Sequence, residues 1–243
     1  MFSDFRIMWQ DKTVLAVVPA RGGSKGIPRK NLCKVGNRSL IGWAAHVTQQ
    51  LPWIDLAILS TDDPELAEEG RQYGLQVPFL RPRELATDTA LGIDVWRHAW
   101  LEAEKWQSKT FELGLYLQPT TPLRQPEDIT RTLKTLVSGS YKAATTIAPV
   151  PGHYVPEKIL ILEDNCCVAP YLPEQVVSNR QQAKNYYYRT GACYAAWRNT
   201  IVNERTLIEA DCAGVIIESF TPNIDDPIEL EFANFLFQKA SRE

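Results

Sequence analysis

The stretch TVLAVVPARGGSKGIPRKN, residues 13–31, joins a short apolar run to a loop rich in glycine and basic side chains. The run at 13–18 is rich in β-branched residues, which is typical of a strand buried in a parallel sheet. A loop that follows such a strand lies at the carboxyl edge of the sheet, where ligands bind in open α/β folds. We therefore expect an α/β fold with a ligand site directly after its first strand.

Strands and helices alternate along most of the chain. Apolar runs predict further strands at 54–60, 113–118, 143–148, 191–197 and 214–219, and helical spacing predicts helices at about 39–51, 63–74, 92–106, 126–137 and 227–240. Ser39 and Asp63 are placed to cap the first two helices. Strands that alternate with helices of this length predict a mainly parallel sheet with helices on both faces.

Residues 150–190 interrupt the alternation. This segment is rich in proline near its start, contains a predicted hairpin with a turn at 163–165, and is polar and aromatic without a clean period after 175. We interpret it as an excursion from the sheet, inserted within one domain that spans 1–243.

Composition excludes several classes of function. The net charge is -3, which gives no support for binding to nucleic acid or to an acidic membrane. The five cysteines contain no CxxC pair, so a zinc site is not expected. We expect reduced thiols in a cytoplasmic protein. No apolar run approaches the roughly 20 residues that span a bilayer, and the N-terminal segment does not resemble a signal peptide.

The loop after the first strand predicts a phosphate site. Its glycines at 22, 23 and 26 are expected to adopt backbone conformations closed to other residues and to allow close approach of a phosphate. Its basic side chains supply four positive charges within ten residues: Arg21, Lys25, Arg29 and Lys30. The loop lacks the GxxxxGK[ST] pattern of P-loop kinases and GTPases and the GxGxxG pattern of dinucleotide-binding folds. A solvated basic loop is the alternative.

The residues at 20–31, ARGGSKGIPRKN, resemble the N-terminal signature of the acylneuraminate cytidylyltransferases, the CMP-sialic acid synthetases. Further blocks of the same family follow in order: LSTDDPELAEEGRQYG at 59–74, RPRELATDTA at 81–90, LQPTTPLR at 117–124, the stretch 180–194 and NIDDPIELEFA at 223–233. The resemblance implies a Rossmann-like nucleotidyltransferase fold. It also implies an enzyme that uses CTP to activate an acidic nine-carbon sugar for cell-surface polysaccharide biosynthesis.

The family's nucleotide site is carried over position by position. The resemblance implies that Arg81 and Ala90 lie against the cytosine and that Arg21 and Lys30 stabilise the leaving phosphates. The implied nucleotide-binding residues are Ala20, Arg21, Gly22, Gly23, Ser24, Lys30, Asn31, Arg81 and Ala90. Gly92 stands where the family often has a serine. Asp88 or Thr89 could alternatively serve only to cap the following helix.

The family's sugar site is carried over in the same way. The implied substrate contacts are Gln118, Thr120, Lys158, Arg180, Arg189 and Tyr194, with Arg180 meeting the carboxylate of the sugar. We expect a structural role for Arg124, through a carboxylate such as Glu127, and a core or subunit contact for 186–188. In the family, the excursion reaches into a partner subunit, so the resemblance implies a homodimer.

Asp225 is the metal candidate, because the resemblance implies an aspartate that holds Mg²⁺ (or Mn²⁺) beside the triphosphate. An ordinary helix cap is the alternative for this residue. Sialate enzymes often have a second aspartate two residues later, where this chain has Pro227, and Asp226 and Glu229 are candidate substitutes. One firm carboxylate is enough for Mg²⁺, which commonly keeps several waters.

Three other functions stay open at this stage. A cytidylyltransferase for an octulosonic acid (Kdo or 8-amino-Kdo) would keep the chemistry and change the sugar. A guanylyltransferase for sugar phosphates fits less well, because the resemblance implies that Arg180 binds a carboxylate. A non-catalytic nucleotide-binding homologue would keep the CTP site alone. No histidine stands out as a general base.

Overall fold

A computed structural model of the chain describes residues 11–164, 166–172, 185–209, 211–218 and 221–240. The strands are β1 Val14–Pro19, β2 Lys34–Val35, β3 Arg38–Ser39, β4 Leu56–Ser60, β5 Leu113–Tyr116, β6 Ala143–Pro149, β7 Leu160–Leu162, β8 Val168–Pro170, β9 Tyr187–Trp197 and β10 Cys212–Ile216. The helices are α1 Leu40–Gln49, α2 Pro64–Gln72, α3 Gly92–Gln107, α4 Pro126–Ser138 and α5 Pro227–Ala240.

Six strands form the central sheet in the order β10-β6-β9-β5-β1-β4. Strand β1 lies in the middle of its parallel part, paired in parallel with β4 on one side and with β5 on the other. Strand β9 pairs antiparallel with β5, so the sheet is mixed at that point. The predicted fold class, α/β with a mainly parallel sheet, is confirmed, and the antiparallel strand is the feature that the apolar pattern did not reveal.

Side chains of β1 alternate between two hydrophobic layers, one on each face of the sheet. Val14, Ala16 and Val18 pack into a layer with α1, α2 and α4. Leu15 and Val17 face the other layer, with Trp96 and Trp100 of α3. Helices cover both faces of the sheet, as predicted. Because β1 is covered on both faces, it is buried at every position but its last, Pro19.

Local signals place the first two helices as expected. The Ser39 side chain accepts a hydrogen bond from the Gly42 amide at the start of α1. The Asp63 side chain accepts from the Glu65 and Leu66 amides at the start of α2. Each cap pairs amides that the first helical turn leaves without a partner, which is worth about 1 kcal/mol.

The chain divides into two compact units. The larger comprises Met1–Thr146 with Thr190–Glu243, and the smaller comprises Ile147–Arg189. Within the smaller unit, β7 and β8 form the predicted hairpin, paired from Leu160↔Pro170 to Leu162↔Val168. The predicted dimerisation and sugar-binding role of this segment stays a prediction.

Within the described part of the chain, none of the helices combines the length and apolarity that a membrane span requires.

Candidate active site

The carboxyl ends of β1 and β5 open into a cleft of about 510 Å³ in the larger unit. Parallel pairing of β1 with β4 and β5 brings the segments that follow all three strands to the same edge. The predicted site residues that line the cleft are Arg21, Ser24, Lys30, Asn31, Arg81, Ala90, Gln118, Thr120 and Asp225. Residues from across the first 120 positions and from near position 225 therefore share one cavity.

The phosphate loop is attached to the end of β4 through its main chain and is closed on itself by the Asn31 side chain. The Ala20 amide donates to the Ser60 carbonyl at 3.0 Å, and Ala20 is buried. The buried Asn31 side chain donates to the Arg21 carbonyl at 3.0 Å. Asn31 thus closes the loop across ten residues and holds Arg21 at the cleft.

Two of the three loop glycines, Gly22 and Gly26, leave no space for a side chain. A Cβ on Gly22 would lie 2.6 Å from Asp63 Oδ2, and one on Gly26 would lie 2.2 Å from the Asp225 carbonyl oxygen. A Cβ on Gly23 would meet nothing within 4 Å. None of the three has a left-handed φ, so the expected special backbone conformation is wrong, and the expected close approach of a phosphate stays a prediction. What approaches Gly26 is the segment that carries the metal candidate.

Arg29 is the loop cation that turns to a helix instead of the cleft. Its guanidinium contacts Asp63 at 2.5 Å and also pairs with Glu65, at the start of α2. The hydrogen bond that Arg29 donates to Asp63 raises the pKa of Arg29 and lowers the pKa of Asp63. Arg29 itself takes the left-handed φ of 54° in this loop. The expectation that all four loop cations serve a phosphate is therefore wrong for Arg29.

The remaining loop cations lie in the cleft and are held there by carboxylates. Lys30 Nζ is 2.8 Å from Asp225 Oδ1. Asp88 bridges the other two, with Arg21 at 2.8 Å and Lys25 at 2.6 Å. The hydrogen bond from Lys25 is the main cause that lowers the pKa of Asp88.

Asp88 is not the cap of α3. The residue at that position is Leu91, which makes no side-chain capping bond, so the capping alternative for Asp88 and Thr89 is wrong. Thr89 instead contacts the Thr87 hydroxyl at 3.2 Å.

Asp225 keeps its side chain clear of α5. One oxygen pairs with Lys30, and the other accepts from Asn223 Nδ2 at 2.8 Å. The capping is done by its neighbours, because Glu229 N donates to Asp226 Oδ1 and Asp226 N donates to Glu229 Oε2, both at 3.0 Å. This reciprocal pair is a capping box. The capping alternative for Asp225 is therefore wrong, and the candidate substitutes for a second metal ligand, Asp226 and Glu229, each use one carboxylate oxygen to cap α5.

The donor set fits one divalent cation held together with phosphate. The described residues contain no group of three or more His, Cys, Asp or Glu side chains that could hold a metal by themselves. Mg²⁺ is commonly bound by one or two carboxylates, several waters and the substrate's own phosphate oxygens. Asp225, two-thirds exposed at the cleft, supplies one such carboxylate.

A buried arginine forms another part of the cleft wall. Arg81 is 6% exposed, and its guanidinium donates to the carbonyls of Ser60 at 3.1 Å and Leu85 at 3.3 Å. Burial lowers the pKa of Arg81. Apolar Leu85 and Val95 line the same cavity, and together these residues suit a flat polar ring with a few hydrogen-bonding atoms.

Tyr116 is a cleft residue that sequence reasoning missed. It is the last residue of β5, lies two residues before Gln118, and is 7% exposed at the cavity. Its ring packs 5.2 Å from that of Trp96, and burial raises the pKa of its hydroxyl, which therefore stays protonated. Its position at the carboxyl end of a buried parallel strand was the available signal.

Arg124 holds the β5 loop against β9. Its buried guanidinium donates to the main-chain carbonyls of Thr121 at 2.9 Å, Ala192 at 2.6 Å and Gln118. Burial lowers its pKa to about 10. A structural role is correct, although its partners are carbonyl oxygens and not Glu127.

Gly191 and the main chain at Thr120 position the polar side of the cleft. A Cβ on Gly191, whose φ is +75°, would lie 2.8 Å from Gln118 Oε1. Only glycine accepts both this backbone conformation and this close contact. The Thr120 carbonyl accepts from the Ile224 amide at 2.8 Å, which brings the Asp225 segment to the same edge.

The other predicted sugar contacts are Tyr194, Lys158, Arg189 and Arg180. Tyr194 lies buried in β9 with its ring centroid 6.5 Å from that of Tyr116. Lys158 and Arg189 belong to the smaller unit, where Lys158 Nζ donates to the Gly152 carbonyl at 2.6 Å and Arg189 is exposed. Arg180 lies outside the described residues. The sugar-binding roles of these four residues stay predictions.

The tyrosines at 186–188 are not core residues. Tyr187 is 43% exposed and Tyr188 is 39% exposed, while the Tyr186 hydroxyl donates to Glu157 at 2.8 Å. The alternative that they contact a second subunit stays open.

The chain matches known proteins over nearly its whole length. The profile of a family described as cytidylyltransferase matches residues 15–195. Pseudaminic acid cytidylyltransferase of Campylobacter jejuni is 26% identical over 225 residues, which cover 92% of this chain and 96% of that protein. CMP-N,N'-diacetyllegionaminic acid synthase of Legionella pneumophila is 28% identical over 236 residues, which cover 90% and 93%.

A solved structure with the same fold is that of CMP:2-keto-3-deoxy-manno-octonic acid synthetase in complex with CTP. It superposes with a TM-score of 0.73 at 18% identity and covers 94% of this chain and 99% of its own. With the profile match spanning most of the chain, and with the phosphate loop, Arg81 and Asp225 meeting in one cleft, the chain belongs to the cytidylyltransferase family of nucleotide-transferring enzymes.

Proposed function

We propose that this cytidylyltransferase transfers CMP from CTP to the anomeric hydroxyl of an acidic nine-carbon sugar and releases pyrophosphate. The observation that carries the proposal is the cleft itself. Three loop cations, Arg21, Lys25 and Lys30, line it together with Asp225. A cationic wall suits a triphosphate, and the buried guanidinium of Arg81 in the same cleft suits the acceptor atoms of a cytosine ring.

The transfer is a direct displacement at the α-phosphorus. The anomeric oxygen forms the new bond to phosphorus and loses its proton, while the bond to the bridging oxygen breaks and pyrophosphate leaves with that electron pair. Lys30 and Arg21 would stabilise the charge that develops on the leaving phosphates. No histidine lines the cleft among the described residues, so positioning and charge carry most of the rate enhancement here.

Asp225 is the residue that would hold Mg²⁺ or Mn²⁺. The cation, when bound, supplies positive charge to the phosphates beside it. Because Lys30 pairs with Asp225, a triphosphate that draws Lys30 toward itself leaves that carboxylate available. We therefore expect divalent cations to bind weakly without CTP and more tightly with it.

The choice of an acidic sugar is supported by the relatives and by the arginine pattern. The names of two similar proteins specify pseudaminic acid and a legionaminic acid. Gln118 and Thr120 offer hydrogen-bonding groups beside the triphosphate site. Arg180, Arg189, Lys158 and Tyr194 are the proposed contacts to the sugar and its carboxylate.

We also propose a homodimer in the cytoplasm. Four apolar side chains of the β7–β8 hairpin are exposed in the smaller unit: Leu160, Ile161, Leu162 and Val168. A two-stranded hairpin with this surface gains stability by covering it. Light scattering coupled to size exclusion would test the dimer, and replacing Leu162 with lysine should shift it to a monomer.

The decisive experiment measures pyrophosphate release with CTP and Mg²⁺ against a panel of nonulosonic and octulosonic acids. Turnover with a nonulosonic acid and formation of its CMP ester, detected by mass, are the expected results. Turnover with an octulosonic acid alone would replace the proposed substrate. CTP binding without turnover of any sugar would indicate a non-catalytic homologue. GTP and ATP serve as nucleotide controls.

A further inference from the structure

Three cations of the phosphate loop are partly neutralised by the protein's own carboxylates. Arg21, Lys25 and Lys30 carry three positive charges, and Asp88 and Asp225 return two negative charges through three ion pairs. The net charge of this set is 3 - 2 = +1. Asp225 already has a proposed role at the metal, whereas Asp88 has none.

Asp88 occupies the place between two cations where a phosphate would bind. Its Oδ1 lies 2.8 Å from the Arg21 guanidinium and its Oδ2 lies 2.6 Å from Lys25 Nζ. All three side chains line the cleft. Two oxygens at hydrogen-bond distance from an arginine and a lysine reproduce the contacts that two oxygens of a phosphate group make.

The segment around Asp88 can release the carboxylate without loss of core packing. Residues 87–89 are exposed, and the Asp88 side chain itself is 47% exposed. The Asp88 carboxylate pairs with the two loop cations, Arg21 and Lys25. An exposed ion pair of this kind contributes little to stability, so exchange for a multiply charged phosphate is favourable.

We propose that Asp88 is an internal competitor for the phosphate subsite, which holds Arg21 and Lys25 in the free enzyme and exchanges with the phosphates of the nucleotide. The inference rests on the proposed function. Asp88 then acts as a positioning residue that keeps two flexible cations in the cleft and limits the affinity for phosphate. Pyrophosphate would bind through the loop cations alone, and Asp88 competes for two of those cations. Its release as product is therefore accelerated.

The opposite role is physically distinct. If Asp88 orients Arg21 and Lys25 and stays in place when phosphate binds, its removal disorders the two cations and weakens phosphate binding. The two roles therefore predict changes of opposite sign in the affinity for pyrophosphate. Activity alone would not separate them, because either change lowers turnover.

The experiment is calorimetric titration of pyrophosphate into the full-length wild-type protein and the variants Asp88→Ala and Asp88→Asn. We expect about five- to tenfold tighter binding in Asp88→Ala, the effect of removing one nearby negative charge in partly exposed surroundings. Asp88→Asn should fall between the two, because an amide oxygen accepts hydrogen bonds without the charge. The gain should shrink in high salt.

Asp94→Asn is the matched control. Asp94 lies in the first turn of α3 and pairs with Arg205, outside the cleft lining. The variant makes the same change in net charge and should leave pyrophosphate affinity within about twofold. Pyrophosphate inhibition of turnover should follow the calorimetric order, with stronger inhibition in Asp88→Ala.

The outcomes separate this inference from the proposed function. Unchanged or weaker pyrophosphate binding in Asp88→Ala, with CTP binding to the wild-type protein intact, overturns the inference alone. Failure of both wild-type and variant proteins to bind CTP and pyrophosphate overturns both. Thermal melting of each variant checks that the fold is retained.

Discussion

Replacing Gly26 with alanine should separate the two segments that form the active site. A Cβ at this position would lie 2.2 Å from the Asp225 carbonyl oxygen, and real Cβ atoms do not approach closer than 3.0 Å. The loop and the Asp225 segment must therefore move apart by at least 3.0 - 2.2 = 0.8 Å. The obstacle is backbone, which cannot rotate away as a flexible side chain would.

The displacement would separate Lys30 from Asp225, because the loop carries Lys30 and the other segment carries Asp225. A misplacement of about 1 Å costs about 100-fold in rate, so we expect kcat/KM for CTP to fall by about that factor in Gly26→Ala. The assay is pyrophosphate release at saturating sugar, with CTP affinity measured separately by calorimetry. Overpacking should also lower the free energy of unfolding by about 1–3 kcal/mol.

Gly23→Ala is the control, in the same loop. A Cβ there meets nothing within 4 Å, and neither glycine has a left-handed φ, so the methyl group adds no backbone strain at either position. We expect Gly23→Ala to stay within about threefold of wild-type activity, because its main-chain amide is unchanged. Equal activity of the two variants would refute the reasoning, since it would mean that the loop and the Asp225 segment do not meet at Gly26.

Three further predictions concern charge, stability and pH. Lys30→Ala should lower kcat/KM by about 100- to 1000-fold, the cost of removing one preorganised charge at the leaving group, and full activity in the pyrophosphate assay would contradict the mechanism. Glu104→Ala should lower the free energy of unfolding by about 3 kcal/mol in urea, with CTP affinity retained, because Glu104 accepts from Arg198 at 2.7 and 2.8 Å and from the Phe111 amide at 3.1 Å. Burial raises the pKa of Cys193 from 9.0 to about 12, so the thiol stabilises the fold below the pKa of the unfolded chain, and that stability is lost as pH rises toward 12. Between pH 7 and 10, the free energy of unfolding should fall by about 1 kcal/mol more in wild type than in Cys193→Ala, and parallel curves would contradict this.

Sequence patterns predicted the order of elements because those patterns depend on near neighbours. Apolar runs indicated β1, β4 and β5, because the side chains on both faces of a buried strand are apolar. Ser39 and Asp63 marked helix starts because a cap acts on amides two or three residues away. The phosphate loop was identifiable for the same reason, as its charges lie within one short segment.

Errors arose where a residue had both a local and a distant partner available. Asp88 precedes a helix and could have capped it, but Arg21 and Lys25, more than 60 residues earlier, are its partners. Arg29 was counted with the phosphate cations, whereas Asp63 draws it to α2. The choice between a local and a distant partner is decided by charge and distance in the folded chain. Spacing along the sequence does not give that distance.

By itself, the sequence determined that a buried strand leads into a cationic loop, that helices cover both faces of a sheet, and that an aspartate follows near the end. Only the tertiary structure decided that Lys30 and Asp225, 195 residues apart, lie 2.8 Å from each other. It also decided that Asp226 and Glu229 cap α5 while Asp225 faces the cleft. The physical reason is that local hydrogen bonds and apolar periodicity act over a few residues, whereas the meeting of distant charges depends on how the packed sheet aligns the ends of its strands.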